Sequence, residues 1–206
     1  MRLKFNVKEY TAFRKNYKFE YKKIINVGEQ LYCEDMLVED ITGKYSESEK
    51  ILNIGYNFKN SKARMLSNLY PMRFKFKGKW VASIEGVLQG VKYKDKKTQN
   101  LVLGYCGLDA YHTRAANFNN FWGNCGILYW QGKPMQRQSL EYELFLDELY
   151  VSALKNPLYQ NALLASGNKY LLHHMGNENI NETVLTRFEF ELRLNSLREY
   201  LKTKIK

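Results

Sequence analysis

The sequence predicts an α+β fold, with a mainly helical C-terminal part and a small β-sheet and hairpin region ahead of it. Three observations carry this expectation. After Ser139 the apolar residues recur at helical spacing almost to the end of the chain. Before residue 82 they alternate in short runs broken by glycine, which is the period of half-buried strands. Finally, 45% of the 206 residues are hydrophobic and 15% aromatic, which is enough for a sizeable core and too much for disorder.

Taken in order, residues 2–8 alternate Leu3, Phe5 and Val7 against Arg2, Lys4 and Lys8, a strand pattern. The stretch up to residue 50 is aromatic and punctuated at Gly28 and Gly43, and reads as short strands and loops. Residues 1–50 are therefore expected to form a basic N-terminal extension, with a polar boundary at residues 46–50 and the main domain over 51–206. Residues 51–56 read as a buried strand, and residues 74–80 as a hairpin turning at Lys77-Gly78. Ser83 is placed to cap a helix running to about Tyr93. Residues 95–137 read as loop-rich, with a short helix near residues 101–105. Ser139 caps the next helix, whose Leu140/Leu144, Phe145/Leu149/Ala153 and Leu146/Tyr150/Leu154 recur at i, i+4. Asn156-Pro157 stops it and starts another, for which Gly167 is a C-terminal cap. A last helix is expected over about residues 182–202.

The charge is uneven. The formal net charge is +11, yet residues 59–97 alone hold eleven Lys or Arg against Glu85 and Asp95. Residues 1–25 carry eight bases and two acids, so the remainder of the chain is net acidic. A concentrated basic segment favours anionic partners, either nucleic acid or phosphate-bearing small molecules. The three cysteines, Cys33, Cys106 and Cys125, form no CxxC and are odd in number, as expected of reduced thiols in a cytoplasmic protein. The N-terminus has no apolar run of signal-peptide type, and no segment is apolar enough to span or anchor in a membrane.

Glu85 is nearly alone as an acid in that basic segment. On a helix Glu85, Gln89 and Lys92 share one face, so a carboxylate, an amide and an ammonium form a polar stripe. By spacing alone, the same stripe fits a solvated helix face. Gly86 and Gly90 lie at i, i+4, which implies close packing against that helix. Ser67-Asn68-Leu69-Tyr70-Pro71 is a rigidified turn that could hold a sugar or phosphate, or be only a turn. Trp122 sits in an asparagine- and glycine-rich stretch, where it could stack on a base or simply pack. His173-His174 lacks the i, i+4 spacing of a helical metal pair, and His112 is the only other histidine. No phosphate-loop, dinucleotide or hydrolase-elbow motif is present.

These motifs together resemble the YbiA-like, or NADAR, family. Leu66-Ser67-Asn68-Leu69-Tyr70-Pro71 resembles its SNFYP-type segment. Gly78, Lys79, Trp80, Ser83, Glu85, Gln89 and Lys92 follow its G-K-x-x-x-S-x-E-x-x-x-Q-x-x-K spacing. Residues 162–167 and 197–201 resemble two of its helix ends, so the likeness covers residues 51–201. It implies a YbiA-like fold and an N-glycosidase that cleaves a ribose C1′–N bond. The substrate would be an ADP-ribosyl or ribosyl-phosphate compound, including ADP-ribose carried on guanine in DNA or RNA. Glu85 would be the catalytic carboxylate, with Ser67, Asn68, Tyr70, Gln89, Lys92 and Trp122 binding substrate and no metal or cofactor. The alternative is a catalytically decayed module that binds ADP-ribose, an NAD-type nucleotide or nucleic acid. Four departures from the family pattern are visible: the YWG-type loop is absent between His174 and Arg187, the basic residues 1–50 have no counterpart, and two places differ in residue type. Gly86-Val87-Leu88 replaces bulky residues, and His173 stands where the family has an acid.

Overall fold

The computed structural model describes residues 3–28, 30–34, 36–39, 47–113 and 126–205. Among them the architecture is α+β, with eight helices and small separate sheets, as the sequence predicts. The elements run α1 (Val7–Asn16), β1 (Ile24–Val27), β2 (Gln30–Cys33), β3 (Met36–Glu39), β4 (Ile51–Asn53), α2 (Ser61–Met65), β5 (Phe74–Phe76) and β6 (Lys79–Val81). They continue as α3 (Ile84–Gly90), α4 (Lys96–Leu103), α5 (Gly107–His112), β7 (Ile127–Trp130), β8 (Lys133–Gln136), α6 (Leu140–Ala153), α7 (Pro157–Ala165), β9 (Tyr170–Leu172) and α8 (Arg187–Ile205).

The strand expected over residues 2–8 is not formed. Asn6 accepts a hydrogen bond from the Glu9 amide and starts α1 at Val7, so a side-chain cap overrides the alternation of Leu3, Phe5 and Val7. The loop-rich reading of residues 95–137 is corrected over residues 96–112 and 127–136, while residues 114–125 lie outside the described residues. Asp95 caps α4 through the Thr98 amide, α5 follows, and β7 and β8 form a hairpin. The last helix starts at Arg187, five residues later than expected.

The β5–β6 hairpin turns where predicted. Lys77 and Gly78 both have positive φ, as do Gln131 and Gly132 in the β7–β8 turn, and such two-residue turns match the twist of paired strands. β4 and β9 pair in parallel across more than a hundred residues, Ile51 opposite Tyr170 and Asn53 opposite Leu172. Asn195 of α8 closes the free edge of β9, accepting from the Leu171 amide at 3.0 Å and donating to the Leu171 carbonyl at 3.0 Å.

One core joins α1, α3, α6, α7, α8 and β5, with Leu146, Leu149, Leu163, Leu194 and Leu197 inaccessible to solvent. It also buries charge. Asp147 lies 2.8 Å from the Arg14 Nε and 3.2 Å from the Arg193 Nε, and accepts from the Thr11 hydroxyl at 2.9 Å. This network pins α1 across α6 and α8, because a buried ion is tolerated only with its partner present.

Candidate functional site

Ser83 builds the start of α3. Its hydroxyl accepts from the Gly86 amide at 2.9 Å and donates to the Tyr105 carbonyl at 3.3 Å. That fixes Glu85 in the first turn, where the aligned peptide dipoles favour a carboxylate. The Glu85 amide donates to the Asn68 carbonyl at 2.9 Å, so the SNLYP turn and the helix start are one unit. Gly86 and Gly90 do meet a close neighbour, as their spacing implies. A methyl group at either would come within 3.2 Å of α4, at the Val102 carbonyl or the Leu103 side chain. Gly107 is tighter still: a Cβ there would lie 1.9 Å from the Leu69 carbonyl oxygen.

The polar stripe is a connected chain. The Gln89 amide nitrogen donates to Glu85 Oε1 at 2.7 Å, and Lys92 donates to Gln89 Oε1 at 2.7 Å. Glu85 is 8% exposed. It is therefore not on a solvated face; it lines a cleft of about 430 Å³ with Asn68, Leu88, Gln89, Lys92 and Tyr111. Residues 173–190 supply the remaining wall, including His173, Thr186, Arg187 and Phe190. The volume falls within the usual range for small-ligand sites, roughly 300–1,000 Å³.

His173 is a member that sequence reasoning did not assign. Its Nδ1 sits 2.9 Å from the Ile54 carbonyl oxygen. A carbonyl can only accept, so Nδ1 carries the hydrogen and Nε2 presents a lone pair. Its ring packs edge-on to Phe190 with centroids 5.0 Å apart. Burial pushes its pKa down to about 4, so the ring is neutral at physiological pH. Tyr150 was legible only as a core position, yet its hydroxyl donates to Asn68 Oδ1 at 2.9 Å, and burial raises its pKa well above the ordinary tyrosine value. Among the described residues, the amide nitrogen of Asn68 has no partner.

The structure brings Asn68, Glu85, Gln89 and Lys92 together and leaves Ser67 and Tyr70 off the cleft lining. The Ser67 hydroxyl accepts from the Leu69 amide at 3.3 Å and shapes the turn, and Tyr70 packs against the core. Trp122 lies outside the described residues. Of the eleven bases in residues 59–97, Lys92 alone lines the cleft. Lys62 pairs with Glu47 and Lys77 with Glu148, while Arg73 lies over the Trp80 ring at 4.7 Å. Density of charge along the sequence is thus not density around Glu85. Arg187 adds a second cation, held by Glu191 at 2.7 Å and Glu178 at 2.8 Å.

The fold and cleft define an α+β protein in which a buried, oriented carboxylate and a neutral histidine line the same cleft. The profile of the family described as bacteriophage protein GP30.3 matches residues 60–199. A protein of Enterobacteria phage T4, described as an uncharacterized 17.1 kDa protein in the Gp30-rIII intergenic region, is 33% identical over 138 residues, covering 66% of this chain and 90% of its own length. The chain belongs to the bacteriophage protein GP30.3 family. Among solved structures, the NMR structure of the E. coli protein YbiA aligns with a TM-score of 0.47 and 14% identity, over 79% of this chain and 88% of that one. Among the described residues, no helix is long and apolar enough to cross a membrane.

Proposed function

We propose that the cleft is the active site of an N-glycosidase, which hydrolyses a ribose C1′–N bond in an ADP-ribosyl or ribosyl-phosphate substrate. The observation that carries this reading is the Glu85 carboxylate, 8% exposed, lining the cleft with one oxygen held by Gln89. The motif resemblance supports the same chemistry. Breaking the C1′–N bond leaves its electron pair on nitrogen and positive charge on the sugar, and a fixed carboxylate stabilises that charge. Water then adds at C1′, and one of its protons ends on the departing nitrogen. The lone pair on His173 Nε2 orients the water by accepting a hydrogen bond. The unpaired amide nitrogen of Asn68 donates to a ribose hydroxyl, and Lys92 draws in phosphate. Gln89, engaged on both sides, positions Glu85 rather than contacting sugar.

The test is a mass-spectrometric screen with NAD, ADP-ribose, ADP-ribosylated DNA and RNA, and ribosylamine phosphates. Release of free ADP-ribose or ribose phosphate from at least one of them is expected, and no product from any would reject the reading.

The second reading, a module that only binds nucleic acid or a nucleotide, has one observation in its favour. Trp80 is 60% exposed, stacked under Arg73, with Lys75 opposite it on the same face of the β5–β6 hairpin. Exposed aromatics beside cations are platforms for single-stranded nucleic acid. Binding of that kind should weaken with salt at a log–log slope of about −0.9 per phosphate for duplex or about −0.7 for single strands. Turnover of a small substrate should respond mildly.

A further inference from the structure

A second concavity shares no lining residue with the Glu85 cleft. It is a groove of about 690 Å³ between α1, the β7–β8 hairpin and α6. Its floor is apolar: Trp130, Met135, Leu144 and Phe145. Leu144 remains 40% exposed, so the chain does not fill its own groove. Trp130 is fixed edge-on between Phe76 and Phe145, with centroids at 5.1 and 5.4 Å, and is a rigid aromatic surface rather than a mobile one.

The rim is cationic. Lys8, Lys15 and Lys133 line it and, among the described residues, form no ion pair. Lys77 is neutralised by Glu148 at 2.5 Å, and Glu141 is the one unpaired acid. Unpaired charge at the groove is therefore three cations against one anion. An apolar floor under a positive rim suits a ligand with a flat ring and a negative tail.

The groove depends on a part of the chain that the family match does not reach. That match begins at residue 60, whereas α1 supplies Lys8, Ala12 and Lys15. α1 is locked in place by Thr11 and Arg14 against Asp147 and Glu143. We propose that this groove is a second binding site, created by the N-terminal helix, for a small aromatic anion of the nucleoside-phosphate class. The proposal does not depend on the catalytic reading of Glu85.

The experiment is an NMR titration of the full chain with adenosine 5′-monophosphate, read at the Trp130 indole N–H. Saturable shifts are expected, with adenosine and inorganic phosphate each binding at least about tenfold more weakly, since each lacks half of the match. Lys15→Glu combined with Lys133→Glu should weaken the monophosphate by about tenfold or more, the equivalent of ~1.4 kcal/mol. Ala12→Trp, at an exposed helix position, should block the groove. Glu85→Gln should leave the groove affinity unchanged. The charge-reversed variant alters exposed side chains only and decides the matter even if Ala12→Trp fails to fold. An unmoved Trp130 signal would overturn the proposal. So would affinity indifferent to the lysines, shifts confined to the Glu85 cleft, or a groove that takes an acidic peptide but not the nucleotide.

Discussion

At the scale of single residues, Glu85 is set apart by its company. Its neighbour one turn along is Gln89, an amide that can donate to it and accept from Lys92 without adding charge. Gln89→Glu would place two carboxylates face to face, and the like charge would raise the Glu85 pKa. The acidic limb of the activity–pH profile should then move to higher pH, while the fold, read by circular dichroism, stays native. An unmoved limb would remove Gln89 from the account. His173 makes a separate prediction about stability. Burial lowers its pKa from 6.5 to about 4 in the folded protein. Between those values the unfolded chain holds the extra proton, so stability falls as pH drops through that window and this contribution levels off below about 4. Urea unfolding of wild type and His173→Gln across the window should show a shallower acid loss in the variant. His173 itself was legible only as a position where an acid was expected, because neither its tautomer nor its carbonyl partner is written in local sequence.

At the scale of elements, the site depends on how α3 begins and on what presses against it. Ser83→Ala removes the cap and should cost about 1 kcal/mol in chemical denaturation. It should also lower kcat more than it changes KM, because Glu85 loses its anchored turn. Gly107→Ala drives a methyl group into the Leu69 carbonyl and must displace either α5 or the SNLYP turn. Overpacking of this kind costs about 1–3 kcal/mol and should be visible as a lowered Tm. The β5–β6 hairpin, the caps at Ser83 and Ser139 and the helix break at Asn156-Pro157 could be read from sequence because each is decided within a few residues. β4 and β9 are three residues each, and only one of them was expected, since nothing local announces a parallel partner so far along the chain. The cleft wall over residues 176–186 has no periodicity at all, and its position follows from where β9 and α8 already lie.

At the scale of the whole molecule, the N-terminal residues are tied to the core by buried charge. Tyr10 is fully buried and packs on Tyr200 at 5.5 Å, while Arg14 and Arg193 share Asp147. Asp147→Ala removes the fully buried carboxylate that two guanidinium groups share and leaves them only the partly exposed Glu143, at 3.1 and 3.3 Å, so it should cost up to about 3–5 kcal/mol in denaturant unfolding. Removal of residues 1–16 should lower Tm sharply rather than release an independent domain. A truncated chain of unchanged stability would show that residues 17–206 fold without α1. The basic segment over residues 59–97 teaches a related lesson. Net charge predicted an anionic partner class, but the fold pairs Lys62 and Lys77 with acids, sets Arg73 and Lys75 beside Trp80 on the hairpin, and brings one of the eleven cations to the cleft.

The most direct measurement of the central claim is single-turnover release of ADP-ribose from an ADP-ribosylated guanine oligonucleotide by wild type and Glu85→Gln. Glutamine at position 85 still accepts from Gln89, so the fold should persist while the rate falls by about 100-fold or more. Equal rates in the two proteins, or no release by wild type, would contradict the assignment of this carboxylate to the chemistry.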